Sequence, residues 1–337
     1  MYKKLIYSVS FALALGAALT STANAEDPSL VGWWKLDNEG TGTVLDYSGY
    51  GRDGTLIGSP QFVPGVYGQA LEFHGDPDYV NIDGYKGLLG GHAFSITAWI
   101  KTTGNGEIVG WGNNTGTERI EFRVNEYRLR TEHGSGNRQG DTFVSDNEWH
   151  HVALTVEENA TISYPQVTLY LDGEDDTRSG TDSDAFNIVA NYDVKIARQY
   201  SGSNRWFIGL IDDVRIYDRV LSADEIKNLA MLPVASKPSP ADGAINSNTW
   251  ASLSWSSGAG AVSHDVYFGE NLHEVTAGTE EAFQGNQPKT NFVAGLPGFP
   301  YPDGLTIGTT YYWRVDEIEA DGTTIHKGDI WSFTVPP

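Results

Sequence analysis

The densest chemistry in this 337-residue chain lies between Glu118 and Arg138, where five arginines alternate with four glutamates. In Arg119-Ile120-Glu121-Phe122-Arg123-Val124 charged and apolar residues alternate. A strand there puts Ile120, Phe122 and Val124 on one face and Arg119, Glu121 and Arg123 on the other. Tyr127-Arg128-Leu129-Arg130-Thr131 is expected to pair back through Asn125-Glu126, adding Arg128 and Arg130 to one face, with His133 and Arg138 beyond. Guanidinium forks suit carboxylate and sulfate oxygens. Arg119, Arg123, Arg128 and Arg130 are therefore candidates for a groove that takes an acidic glycan. The competing use is a solvated face of charge pairs, because Glu118, Glu121, Glu126 and Glu132 share the stretch. Flat rings add a second ingredient. Trp111, between glycines, and Tyr127, at the hairpin, are placed to stack on a sugar ring, and Tyr200 and Trp206 flank a Ser/Gly/Asn loop. Packing in the core or at its rim is the alternative for such rings.

Other reactive side chains are less directive. Asp46 and Asp53 sit in a glycine-rich loop, and Asp212-Asp213 stands near the end of a strand-like run. These four are the best metal candidates, since calcium takes six to eight oxygens. Asx-turns are their simpler use. His150 and His151 are adjacent, so on a strand they face opposite ways and do not chelate one ion together. Glu174-Asp175-Asp176 and Glu319-Ala320-Asp321 lack the third carboxylate of an E-x-D-x-x-E strand. No G-x-S-x-G, H-E-x-x-H or P-loop pattern occurs. No catalytic residue is assigned, and the protein is read as not being an enzyme.

The elements that must carry these residues are β-strands. The chain holds 39 glycines and 12% aromatics, a composition of many turns and many rigid side chains. Short alternating runs recur, among them Phe94 to Ile100, Ile120 to Val124, His151 to Val156 and Val167 to Leu171, with no helices between them. That pattern indicates antiparallel sandwiches rather than βαβ units. One helix is legible: Ser222-Ala223-Asp224-Glu225 is a capping box, followed by Ile226, Leu229 and Ala230 and stopped by Pro233. The absence of cysteine removes disulfides, thiol nucleophiles and Cys-ligated metals, and a net charge of −22 argues against unaided binding of nucleic acid. Residues 1–25, with Lys3-Lys4, an apolar run and Ala23-Asn24-Ala25, read as a secretory signal. The expectation is a protein that is secreted, periplasmic or on the cell surface, with no transmembrane anchor after cleavage.

The run from Leu30 to Asp37, the loop Asp46 to Thr55, Tyr67 to Phe73, Trp149 to Ala153 and Gly209 to Tyr217 together resemble the LamG-like (concanavalin A-like lectin/glucanase) jelly-roll family over about residues 28–231. Residues 244–337 look like a fibronectin type III module through Leu253-Ser254-Trp255 and Tyr311 to Val315, after a Pro-rich linker at 232–243. The resemblance implies an all-β fold: a two-sheet antiparallel jelly roll followed by a smaller immunoglobulin-like sandwich. It also implies that the Asp46 loop lies near Asp212, with a structural Ca2+ holding Asp46, Asp53, Asp212 and Asp213 together, and that the domain binds rather than catalyses. The partner expected is a polysaccharide or glycoconjugate. The alternatives are an adhesion protein that binds a cell-surface protein, and a divergent glycan hydrolase or lyase.

Overall fold

A computed structural model describes residues 27–337 except 39, 41, 116, 134–135, 161–165, 182–184 and 202–204. The expected signal at 1–25 lies outside the described residues. The alternating runs become two antiparallel sheets. One has eight strands: Glu174–Asp175, Val167–Leu171, His150–Val156, Phe94–Thr102, Ile208–Tyr217, Gln69–His74 and Gln61–Pro64 in spatial order, with Leu30–Trp34 also paired to Ile208–Tyr217. The other has nine: Thr177–Thr181, Gly136–Phe143, Arg128–His133, Arg119–Asn125, Gly106–Gly112, Tyr192–Ile196, Tyr79–Ile82, Gly54–Ile57 and Thr43–Val44. Neighbours in space are often distant in sequence, as expected of a jelly-roll sandwich. The inward residues form one continuous core that includes Trp34, Phe94, Trp111, Phe122, Leu154 and Ile211. Burying each such side chain contributes about 1.5–3 kcal/mol.

The hairpin read between Arg119 and Arg130 forms, with its turn one residue later than expected, at Glu126-Tyr127 rather than Asn125-Glu126: Leu129 pairs with Val124 and Arg130 with Arg123. Glu126 and Tyr127 both take positive φ, 53° and 64°, the backbone that a two-residue hairpin turn requires. The capping box also forms. Ser222 Oγ accepts from the Glu225 amide, and Glu225 Oε2 accepts from the Ser222 amide at 2.8 Å. The helix Ala223–Leu229 buries Ile226 against Leu30, Ala153, Tyr217 and Leu221.

Beyond it a second β unit has its own core of Trp255, Phe268, Tyr311, Trp313 and Phe333. Its three-stranded sheet comprises Ser236–Ser239, Ala251–Ser256 and Asn291–Ala294. Its six-stranded sheet is built on Ala261–Gly269 and Thr310–Glu319, with Ile325–His326 at the side. The segment 232–243, expected as a spacer, is partly sheet: Ser236 and Ser239 pair with Ser256 and Ser254. Its proline at 238 sits on an edge strand, where no ladder donor is needed. A helix at Leu272–Ala277, capped by Asn271 and ended by Gly278 at φ 71°, was not legible. Six residues are too few to display a 3.6-residue period.

Candidate functional site

The arginine face departs from an open groove. Along the nine-stranded sheet, the side turned away from the core carries Glu107, Glu121 and Glu132 among Arg119, Arg123, Arg130 and Arg205. Arg123 Nη2 meets Glu132 Oε1 at 2.6 Å, and Arg130 Nη2 meets Glu132 Oε2 at 2.9 Å. Arg119 Nε lies 3.5 Å from Glu121 Oε1, Gln199 donates to the same oxygen at 2.8 Å, and Arg205 pairs with both Glu121 and Glu132. Glu121 and Glu107 are fully buried, and Arg123 and Glu132 are nearly so. Burial, with the charge of Glu121 second, pushes the Glu107 carboxyl well above the carboxylate range. Removing charges from water is costly; Glu121 and Glu132 are held by arginines, whereas neither oxygen of Glu107 has a hydrogen-bond partner among the described residues. Gln199 and Arg205 close over the network, and Tyr200 is buried beside it, its hydroxyl donating to the Asn113 carbonyl at 3.3 Å. Arg128 lies over Phe143, 3.9 Å from the ring centroid. The four expected arginines thus stand on neighbouring strands, but three are spent on glutamates.

Trp111 is not a surface platform. It is 0% exposed, donates Nε1–H to the Leu88 carbonyl at 3.0 Å and packs on Phe94 at 5.7 Å. A distant glycine, Gly87, lets the chain close over the ring: a Cβ there would come within 2.4 Å of it. Tyr127 is 50% exposed at the hairpin tip. His151 is buried edge-on against Trp99, and burial drops its pKa to about 4. His150 bridges Asp172 and Asp146 at 2.8 and 3.2 Å.

Nor do the four aspartates form a cage. Asp46 Oδ1 accepts from the Trp33 and Ser48 amides and its Oδ2 from the Arg52 amide, while Asp53 accepts from the Asp46 amide. Asp213 holds the Trp33 indole N–H at 2.7 Å and pairs with Arg215 at 2.8 Å. Asp212 Oδ2 accepts from Val66 and Tyr67 at 2.8 and 3.0 Å. Burial, aided by the charge of Asp213, raises Asp212 to about 8. Among the described residues no three His, Asp or Glu side chains gather to hold a metal. The four carboxylates thus do not gather around one point, and each gives at least one oxygen to an N–H group.

What does stand on the outward face is a strip of rings and cations next to the arginine network. In Tyr79–Ile82, Val80 and Ile82 enter the core, which turns Tyr79 and Asn81 outward. Lys195 lies opposite Asn81. Ala197, at φ 68°, redirects the chain so that Arg198 bridges Trp206 while Phe207 enters the core. The Arg198 guanidinium lies 4.5 Å from the Trp206 centroid and 4.8 Å from that of Tyr79, and the two rings are 6.0 Å apart. Lys195 Nζ sits 5.6 Å from Tyr79 and 5.9 Å from the exposed Tyr192, and donates to the Tyr200 carbonyl at 2.8 Å. Burial, then Arg198, lowers the Lys195 pKa. Of these residues only Trp206 and Tyr200 were marked in the sequence. The outward Tyr79 was detectable as an alternate position of its strand, whereas a register break separates Tyr192 from Lys195, and no motif distinguished any of the three.

Residues 74–227 match the family described as the concanavalin A-like lectin/glucanases superfamily. A comparison with curated proteins finds no match. Among solved structures, the chain is similar to domain 4 of AbnA, an extracellular arabinanase of Geobacillus stearothermophilus in complex with arabinotriose. Identity is 22% and TM-score 0.48, over 60% of this chain and 98% of that one. It is also similar to the binding domain of Paraclostridial Mosquitocidal Protein 1 (12% identity, TM-score 0.47, 90% and 91% covered). A third is Trypanosoma rangeli sialidase (16%, TM-score 0.44, 60% of this chain and 32% of that one).

Proposed function

We propose that this lectin/glucanase-like sandwich is a non-catalytic recognition domain, and that it binds a polysaccharide or glycoconjugate on the outward face of its nine-stranded sheet. The observation that carries the reading is the strip Tyr192, Lys195, Tyr79, Arg198 and Trp206. It presents ring surface for sugar C–H groups beside cations for hydroxyl or carboxylate oxygens. Tyr79, Tyr192 and Lys195 are borne on strands of a packed sandwich and Arg198 bridges Trp206 beside them, so most of its geometry is set in advance and little ordering entropy is lost on binding. The neighbouring carboxylates Glu121 and Glu132 are neutralised by arginines and Glu107 is buried, so they are better suited to holding the sheet than to attacking a glycosidic bond. We read the second unit as a fibronectin type III-like spacer, and the whole as an exported protein.

A glycan array probed with the full chain tests this. Binding is expected to one polysaccharide class, weak for short fragments and stronger for polymers through repeated contacts. Trp206→Ala and Arg198→Met should each weaken it about three- to tenfold, the scale of one ring or cation–π contact of ~0.5–1.5 kcal/mol. An array with no bound glycan, together with a co-purifying surface protein, would replace this reading with adhesion.

A further inference from the structure

The outer face of the eight-stranded sheet meets the second β unit around a cleft of about 470 Å³, lined in part by Trp33, Lys35, Tyr67, Arg215, Glu319 and His326. That volume is in the range of small-molecule sites, which favour domain junctions. The walls are held before any ligand arrives. The turn carrying Tyr67 is fixed by its amide on Asp212, and the Tyr67 hydroxyl donates to the Met231 carbonyl at 3.0 Å. Trp33 is oriented by its indole N–H on Asp213, and Arg215 lies 4.6 Å from its ring centroid. From the second unit, His326 meets Tyr67 edge-on at 6.1 Å and Glu319 Oε1 at 2.7 Å.

Lys35 is the group left unspent. Its ammonium lies 4.9 Å from the Trp33 centroid and 4.4 Å from that of Tyr47, and among the described residues it meets no carboxylate. Two cations, Lys35 and Arg215, face three carboxylates, Asp37, Asp213 and Glu319. Such a cleft repels an anion, in contrast to the cationic strip on the other sheet. Its rings offer apolar contact, Lys35 offers N–H donors, and Glu319 offers acceptor oxygens. That alternation suits hydroxyl groups, which donate and accept at once.

We propose that this cleft is a second binding site, for one or two rings of an uncharged saccharide, built from both β units. The choice of a saccharide rests on the glycan-binding reading above; the site itself rests on the cleft alone. Lys35 donates to a ring hydroxyl and Glu319 accepts from another. Because both units touch the ligand, its occupation ties them together.

Isothermal titration of the full chain with cellotriose, xylotriose and maltotriose, and with trigalacturonate as the acidic probe, tests the proposal. At least one neutral trimer should bind, with trigalacturonate weaker at this site. Lys35→Met and Glu319→Gln should each weaken the neutral trimer about tenfold or more, the effect of one hydrogen bond to a charged group. Glu319→Gln keeps the side-chain shape, so it serves even if Lys35→Met unfolds. Absence of binding by all three neutral trimers overturns the site, as does wild-type affinity in both variants. If the binding is lost in Trp206→Ala and kept in both cleft variants, the cleft is rejected while the outward-face reading stands.

Discussion

Replacing Asp212 by Asn should remove a specific pH dependence of stability. Asp212 is fully buried, its Oδ2 accepts two backbone N–H groups, and its Oδ1 has no partner among the described residues. Burial, with Asp213 alongside, raises its folded pKa to about 8, against about 3.9 in an unfolded chain. Between these values the folded state binds a proton that the unfolded state does not. Stability from this group is therefore fully present below about pH 4 and is lost as pH rises through about 8. The slope is up to ~1.4 kcal/mol per pH unit, so from pH 5.5 to 7.5 the wild type should lose on the order of 2–3 kcal/mol relative to Asp212→Asn. Asn keeps the acceptor oxygen for Val66 and Tyr67, so the turn holding Tyr67 survives in the variant. The assay is urea unfolding followed by tryptophan fluorescence at pH 5.5, 6.5 and 7.5 for both proteins. Parallel stability curves would refute the reasoning. They would show Asp212 ionised in the folded protein, the state that a calcium ligand needs.

Trp111→Ala should cost about 3–5 kcal/mol of unfolding free energy through the cavity it leaves; an exposed-platform role would instead show unchanged stability and lost glycan affinity. Glu132→Ala should be destabilising by about 3–5 kcal/mol, because Arg123, Arg130 and Arg205 lose a shared partner in a largely buried network. A denaturation midpoint within measurement error of wild type would show those charges to be solvated. EDTA should leave the melting temperature unchanged, since among the described residues Asp46, Asp53, Asp212 and Asp213 do not gather to hold a metal. A drop of several degrees, restored by calcium, would place a cation site elsewhere in the chain.

Much of the architecture was legible because it is written in local periods. Alternation of two gave the strands around Phe94, Ile120 and Leu154, and a capping box gave the helix at Ser222. The Arg119–Arg130 hairpin also followed from alternation and a turn, though its turn falls one residue later, at Glu126-Tyr127. Those signals depend on residues within one or two turns of chain, and they place a side chain on a face. Which face is wet, and what covers it, depends on distant segments. Trp111 between glycines looks like an exposed loop ring, yet Gly87 and Phe94 close over it. The arginines of 119–130 looked free, yet Arg205 and Gln199, more than 60 residues away in the chain, complete their pairing with Glu121.

The same limit explains the aspartates. Their type permits metal binding and N–H acceptance equally, and only the folded chain decides between them. It brings Trp33 to Asp46 and Asp213, and Tyr67 to Asp212, so that these carboxylates help to set the walls of the inter-unit cleft. That cleft had no counterpart in any motif, because Trp33, Lys35, Tyr67, Glu319 and His326 come from opposite ends of the chain. Composition and periodicity determined an all-β, cysteine-free protein of sandwich type, and the family resemblance placed a jelly roll over about residues 28–231. Burial and long-range pairing, which cost or stabilise only once the sheets are packed, decided which of its charges and rings remain available to a ligand.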